Sequence, residues 1–195
     1  MGAAMANARG GHTSTLLPDG RVLVIGGLSE LDLRLASAEL YDPSIDAWSA
    51  AGNMAEGRAF HTATLLPSGK VLVAAGKSFD GPVTSVEIYD PSDNKWSLVR
   101  HVDRPRGVHG AVLLLDGRVL VAGGEGSKKT EMASSEIYDP STNSWSRSDE
   151  LLRARSSHSM TLLHDGRILA VGGTEEDTSS EIFDPSTEKW RFIGN

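Results

Sequence analysis

Cysteine is missing from all 195 residues. Its absence removes disulfides, thiolate metal sites and cysteine nucleophiles, and leaves the redox compartment open. No apolar run approaches the roughly 20 residues needed to cross a bilayer. The opening MGAAMANARGG lacks the cationic stretch and apolar core of a secretory signal. No Asn-x-Ser/Thr acceptor occurs. Basic residues are outnumbered, 19 against 26 acidic, and the net charge of −7 argues against nucleic acid or an anionic membrane as the main partner. The expectation is a soluble chain of unknown compartment, with no cofactor and no metal.

What is present is repetition, which takes precedence over any residue-level reading. Arg9, Arg58, Arg106 and Arg155 lie 49, 48 and 49 residues apart, and His12, His61, His109 and His158 follow them at a constant three places. Each row then reads alike. HTSTLLPDGRVLVIGG leads to SAELYDPSIDAW, HTATLLPSGKVLVAAG to SVEIYDPSDNKW, HGAVLLLDGRVLVAGG to SSEIYDPSTNSW, and HSMTLLHDGRILAVGG to SSEIFDPSTEKW. The rows divide the chain at about 5–53, 54–101, 102–150 and 151–195.

Each row encodes four short strands. TLL and RVLV-type runs are rich in Leu and β-branched residues, shorter than a helix and bounded by Gly. Asp19-Gly20, Ser68-Gly69, Asp116-Gly117 and Asp165-Gly166 supply tight hairpin turns in which Gly takes positive φ. The third strand ends at Tyr-Asp-Pro, or Phe-Asp-Pro in row four, and a Trp strand follows. One such sheet cannot cover both its faces, whereas radial stacking does. Trp48, Trp96, Trp145 and Trp190, with Tyr41, Tyr89, Tyr138 and Phe183, are therefore read as the filling between neighbouring sheets, about 150–250 Å² buried by each ring.

The double Gly closing the second strand, the Tyr-Asp-Pro of the third and the Trp of the fourth resemble the kelch repeat, over residues 5–195. Row two departs from it with Ala75 in place of the first Gly, which weakens one turn. The resemblance implies an all-β fold, a β-propeller of four kelch blades of four antiparallel strands, in a family whose members mostly bind proteins or ligands. It also includes galactose-oxidase-like copper radical enzymes, whose Tyr–Cys cross-link a chain without cysteine cannot form. No residue set here matches a kelch-like sugar-acid isomerase.

Alternating strand direction puts the second-to-third loop and the entry to the next blade on one face, and the tight turns on the other. Length varies almost only in that loop: residues 28–36, 77–84, 125–133 and 174–178. From Trp to the next Arg the spacing is ten every time. A feature present in every blade is most economically scaffold, and recognition belongs where blades differ. Leu31, Leu33, Phe79, Lys128 and Lys129 are the candidates for a partner surface. Two plainer readings compete: Leu33 and Leu35 extend strand three and pack inward, and Lys128, Lys129, Glu175, Glu176 and Asp177 are solvated loop tips.

The repeated Arg9, Arg58, Arg106 and Arg155, with His12, His61, His109 and His158, are the candidates for ligand binding. A ring of guanidinium groups at the channel mouth suits a carboxylate, and imidazoles on innermost strands suit a metal. Against the first stands a repeated partner, Glu39, Glu87, Glu136 and Glu181, so that one Arg–Glu pair per blade is equally natural. GGEGSKKT (123–130) lacks the Gly-Lys-Ser/Thr order and the helix of a phosphate loop, and no spacing singles out a catalytic triad.

Met5–Arg9 mirrors Met54–Arg58, and Trp190–Asn195 mirrors Trp48–Asn53, so no strand is set aside to lock a ring. Two closures are expected, a homodimeric eight-bladed ring or a four-bladed monomer, with a piece of a longer propeller as a third reading. Functionally, the expectation is a non-catalytic binding scaffold. The alternatives are an enzyme holding an anionic sugar or acid on its arginines, and a segment without independent function.

Overall fold

A computed structural model of the chain describes residues 3–173 and 178–193. The chain runs through four antiparallel sheets of four sequential strands. Blade one comprises β1 (Thr13–Leu16), β2 (Val22–Ile25), β3 (Ser37–Asp42) and β4 (Ala47–Asn53). Blade two comprises β5 (Thr62–Leu65), β6 (Val71–Ala74), β9 (Val86–Asp90) and β10 (Lys95–Leu98), with a separate two-stranded hairpin, β7 (Lys77–Ser78) and β8 (Gly81–Pro82), in its long loop. Blade three holds β11 (Gly110–Leu113), β12 (Val119–Ala122), β13 (Ser135–Asp139) and β14 (Ser144–Ser148). Blade four holds β15 (Ser159–Leu162), β16 (Ile168–Val171), β17 (Ser180–Asp184) and β18 (Lys189–Ile193). Among the described residues the one helical element is a 3-10 turn, Ser127–Lys129.

The hairpin glycines Gly20, Gly69, Gly117 and Gly166 take φ between 81° and 88°, where a Cβ is disfavoured. At the end of strand two, Ala75 adopts the same left-handed conformation (φ 53°) as Gly26, Gly123 and Gly172. The turn shape thus survives the substitution.

Three apolar clusters lie between successive blades. The first joins Leu23, Ile25 and Leu40 of blade one to Met54, Val71, Val73 and Tyr89 of blade two. The other two repeat it, around Tyr138 and around Phe183. Each Trp faces the aromatic of the neighbouring strand at 5.0–5.1 Å between centroids. Trp96 and Trp145 also donate Nε1–H to the preceding blade, at Ala51 O (2.8 Å) and Arg100 O (2.7 Å). Tyr89, Tyr138, Phe183 and Trp190 are buried, whereas Tyr41, Trp48, Trp96 and Trp145 are half-buried.

The innermost strands adjoin in series, β1 with β5, β5 with β11 and β11 with β15, with no comparable packing of β15 against β1. The blades form an open arc. The closed four-bladed monomer is not the arrangement observed: the fourth blade's far face and the first blade's near face stay uncovered.

Candidate functional site

The four arginine side chains are fully buried. Arg106 lies fully buried. Its Nη1 donates to Gly123 O (2.8 Å) and Ser134 O (2.9 Å), its Nη2 to Ser134 Oγ (3.0 Å) and Glu136 Oε1 (2.8 Å). Arg9, Arg58 and Arg155 repeat this set on Ser37 and Glu39, Ser85 and Glu87, and Ser179 and Glu181. The second carboxylate oxygen accepts a backbone N–H at Ala6, Ala55, Asp103 or Leu152, 2.7–2.8 Å away. Each arginine thereby ties the end of strand two, the start of strand three and the segment entering the blade. Burial pulls the Arg58 and Arg106 guanidinium groups below their ordinary range, against the pull of Glu87 and Glu136. Burial pushes the Glu39 carboxyl up, but the hydrogen bonds from Arg9 and the Ala6 amide outweigh it and hold the carboxyl low.

The histidines link blades. Nε2 of His61 lies 2.8 Å from Thr13 Oγ1, and Nε2 of His109 2.9 Å from Thr62 Oγ1. His158 breaks the series: Gly110 stands where the hydroxyl would be, and neither ring nitrogen has a partner. Burial, and behind it a neighbouring arginine, drives His61 down to about 3 and His158 to about 4, with His109 also well below its ordinary value. His12, on the open first blade, is exposed and meets Arg9 O through Nδ1 at 3.1 Å. Among the described residues no group of three or more His, Asp or Glu side chains is arranged to hold a metal ion.

The second-to-third loops present what the blades do not share. In the first, Ser29 Oγ accepts the amides of Leu31 and Leu33 (3.2 Å each), forming a tight turn that leaves the two leucines 80% and 55% exposed. Strand three begins only at Ser37, so Leu33 does not extend it inward. The loop backbone crosses the entrance of blade two, where a Cβ on Gly57 would lie 2.1 Å from Arg34 O. In the second loop the β7–β8 hairpin carries Phe79, 83% exposed. Beside it Lys77 pairs with Glu125 of blade three (2.8 Å) and sits 5.8 Å above the Phe60 ring. Lys128 and Lys129 are exposed on the 3-10 turn of the third loop. Glu175, Glu176 and Asp177 lie outside the described residues. On the turn face, two open clefts of about 520 and 480 Å³ have equivalent linings in successive blades, which marks them as products of the repeat.

A sequence model described as the KLHDC2/KLHL20/DRC7 Kelch-repeats domain matches residues 2–173. The chain belongs to the kelch-repeat family. No curated protein matches it. Kelch domains in general are protein-interaction scaffolds. The arginine side chains bond within their own blade, and His61 and His109 bond to a threonine of the preceding blade. The exposed leucines, Phe79 and the lysine pair each lie in the second-to-third loop of their own blade. Ser37, Ser85, Ser134 and Ser179 went unnoticed in the sequence, although each stands two places before its Glu in all four rows, a Ser-x-Glu signal as regular as the arginines.

Proposed function

We propose that this kelch chain is a non-catalytic binding scaffold whose recognition surface is the loop face, at residues 28–36, 77–84 and 125–133. One observation carries the reading. The repeated polar groups, Arg9, Arg58, Arg106 and Arg155, have their terminal nitrogens occupied by carbonyl, hydroxyl and carboxylate oxygens of their own blade. The apolar groups found in single blades, Leu31, Leu33 and Phe79, are instead held out in solvent. An anion would have to displace a buried carboxylate to reach a guanidinium, a costly exchange, whereas a protein segment gains by covering exposed Leu and Phe. Lys128 and Lys129 add a basic edge suited to acidic side chains at the rim of such a partner. The chain itself is also a partner in this reading, a second copy completing an eight-bladed ring.

The test is a selection of displayed peptides on the intact chain, followed by binding to a variant carrying Leu31→Ser, Leu33→Ser and Phe79→Ser. All three side chains are exposed, so the fold is retained, and selected peptides should bind at least tenfold more weakly. Unchanged affinity would place recognition elsewhere.

A further inference from the structure

Asp-Gly is a dipeptide at which a peptide chain readily rearranges, because glycine has no Cβ to shield its nitrogen from the carboxyl group of the residue before it. The chain has four: Asp19-Gly20, Asp80-Gly81, Asp116-Gly117 and Asp165-Gly166. Exposure does not separate them. The side chains of Asp19, Asp116 and Asp165 are 46–49% exposed, and Asp80 is exposed too. What separates them is how they are held. In the three blade hairpins the arginine two places on clamps the carboxylate: Arg21, Arg118 and Arg167 each donate the backbone N–H to Oδ1 at 3.0–3.1 Å and Nε–H to Oδ2 at 2.7–2.9 Å. The glycine nitrogens are engaged as well, Gly20, Gly117 and Gly166 donating to the carbonyls of Leu17, Leu114 and Leu163 at 3.0 Å. The bonds from Arg21 and Arg167 also hold the Asp19 and Asp165 carboxyls below their ordinary range, ionised and without a hydroxyl to lose.

Asp80 has no such clamp. Two places on stands Pro82, which has no N–H to give. The neighbouring Lys77 ammonium is taken by Glu125 at 2.8 Å. Among the described residues the Asp80 carboxylate has no hydrogen-bond or ion-pair partner. Its hairpin is closed by two rungs alone, Lys77 opposite Pro82 and Ser78 opposite Gly81. Phe79 at the tip is 83% exposed, and a Cβ on Gly81 (φ 120°) would meet nothing within 4 Å. A short hairpin with so little packed upon it opens locally at small cost, whereas the blade hairpins join four-residue strands that run into the core.

We propose that Asp80-Gly81 is a site of isoaspartate formation and that the other three Asp-Gly turns are protected from it. The Gly81 nitrogen bonds to Cγ of the protonated Asp80 carboxyl; its amide proton and the carboxyl hydroxyl leave together as water, and a five-membered succinimide forms. Water then adds back. Addition at Cγ restores aspartate. Addition at the Asp80 backbone carbonyl carbon carries the main chain through Cβ and Cγ and leaves the α-carboxyl as the side group, with no change in mass and no oxidant or reductant. The extra methylene falls in the backbone of a two-residue turn, so it shifts the Ser78–Gly81 rung and redirects Phe79. The chemistry is independent of the proposed function; its effect on recognition rests on that reading, in which Phe79 belongs to the loop-face surface.

The test uses the intact chain, kept folded at pH 7.5 for several weeks and then digested with trypsin. The peptides 10–21, 78–95, 107–118 and 156–167 each carry one of the four Asp-Gly pairs. Isoaspartate in each is read by enzymatic methylation of its free α-carboxyl and by chromatographic separation from the parent peptide. In the folded chain 78–95 should gain it at least about tenfold faster than the other three, and in urea the four rates should come together. Asp80→Glu, at an exposed side chain without a partner, should abolish the signal in 78–95, because glutamate would have to close a six-membered ring. Equal rates in the folded chain, or a blade-hairpin peptide that leads, overturn the site; a ratio that survives unfolding overturns protection by the clamps. Peptides selected on fresh chain should bind aged chain more weakly as isoaspartate accumulates, while aged Asp80→Glu keeps its affinity. Isoaspartate formed with binding unchanged would overturn the part of Phe79 in the loop-face reading and leave the modification site standing.

Discussion

Replacing Arg106 with alanine removes four hydrogen bonds and one buried ion pair from the centre of the third blade. Three neutral acceptors lose their donor: Gly123 O, Ser134 O and Ser134 Oγ. Glu136, itself 2% exposed, keeps the Asp103 amide as donor but loses its counter-charge. Removing one member of a buried pair costs about 3–5 kcal/mol, chiefly through the charge left behind. That is a large part of the roughly 5–15 kcal/mol stability of an ordinary domain. Exchanging the pair for apolar groups, Arg106→Met with Glu136→Leu, removes the stranded charge and should recover most of the loss. The remainder, about 1–3 kcal/mol, is the cost of the carbonyls left without a donor. Urea unfolding read by tryptophan fluorescence measures both, since Trp145 and Trp190 stand at the two sides of blade three. A loss below about 1 kcal/mol for the alanine variant, together with lost binding of a sugar acid such as glucuronate, would refute the scaffold role and restore the arginines as a ligand site.

Two further outcomes follow from the same network. Acid should unfold the arc early: His61 and His158 are held at about 3 and about 4, and His109 well below its ordinary value. In the unfolded chain each titrates near 6.5. The folded state therefore binds fewer protons, so stability is complete above about pH 6.5 and is lost as the pH falls toward 4. At pH 5.5 His61 and His158 together cost about 3 kcal/mol, His109 adds to the loss in the same direction, and a urea midpoint equal at pH 7.5 and 5.5 would contradict the burial. Gly110→Thr should destabilise, because its Cβ would lie 2.4 Å from Met160 Sδ. The same Cβ would lie 2.8 Å from His158 Nε2, so removing Met160 alone does not make room; a Gly110→Thr variant melting as high as the parent would refute this close packing.

Repetition made the scaffold legible, and its physical limit is where the reading stopped. Strand positions, hairpin turns and Arg–Glu pairing could be read because each is written four times in register. Loop conformations are written once. Leu33 and Leu35 alternate as a strand would, but Ser29 captures the amides of Leu31 and Leu33 and turns the chain outward first. Openness of the arc was likewise invisible, since it accumulates from small rotations at interfaces that look alike in sequence.

Ala75 shows how far tertiary structure overrides a local departure. The sequence alone marks it as a weakened turn, because a left-handed conformation costs a residue with a Cβ about 1–2 kcal/mol. Yet Ala75 keeps the geometry of its glycine counterparts. Its amide donates to Ser85 O at 3.0 Å, its carbonyl accepts Arg58 Nη1 at 2.9 Å, and its methyl is buried in the cluster between blades two and three. The arginine clamp that ties strand two to strand three thus holds this backbone conformation without glycine. The same clamp accounts for an arginine in each of the four blades: it fixes the turn from which each variable loop departs, so that the loops can differ while their point of departure does not.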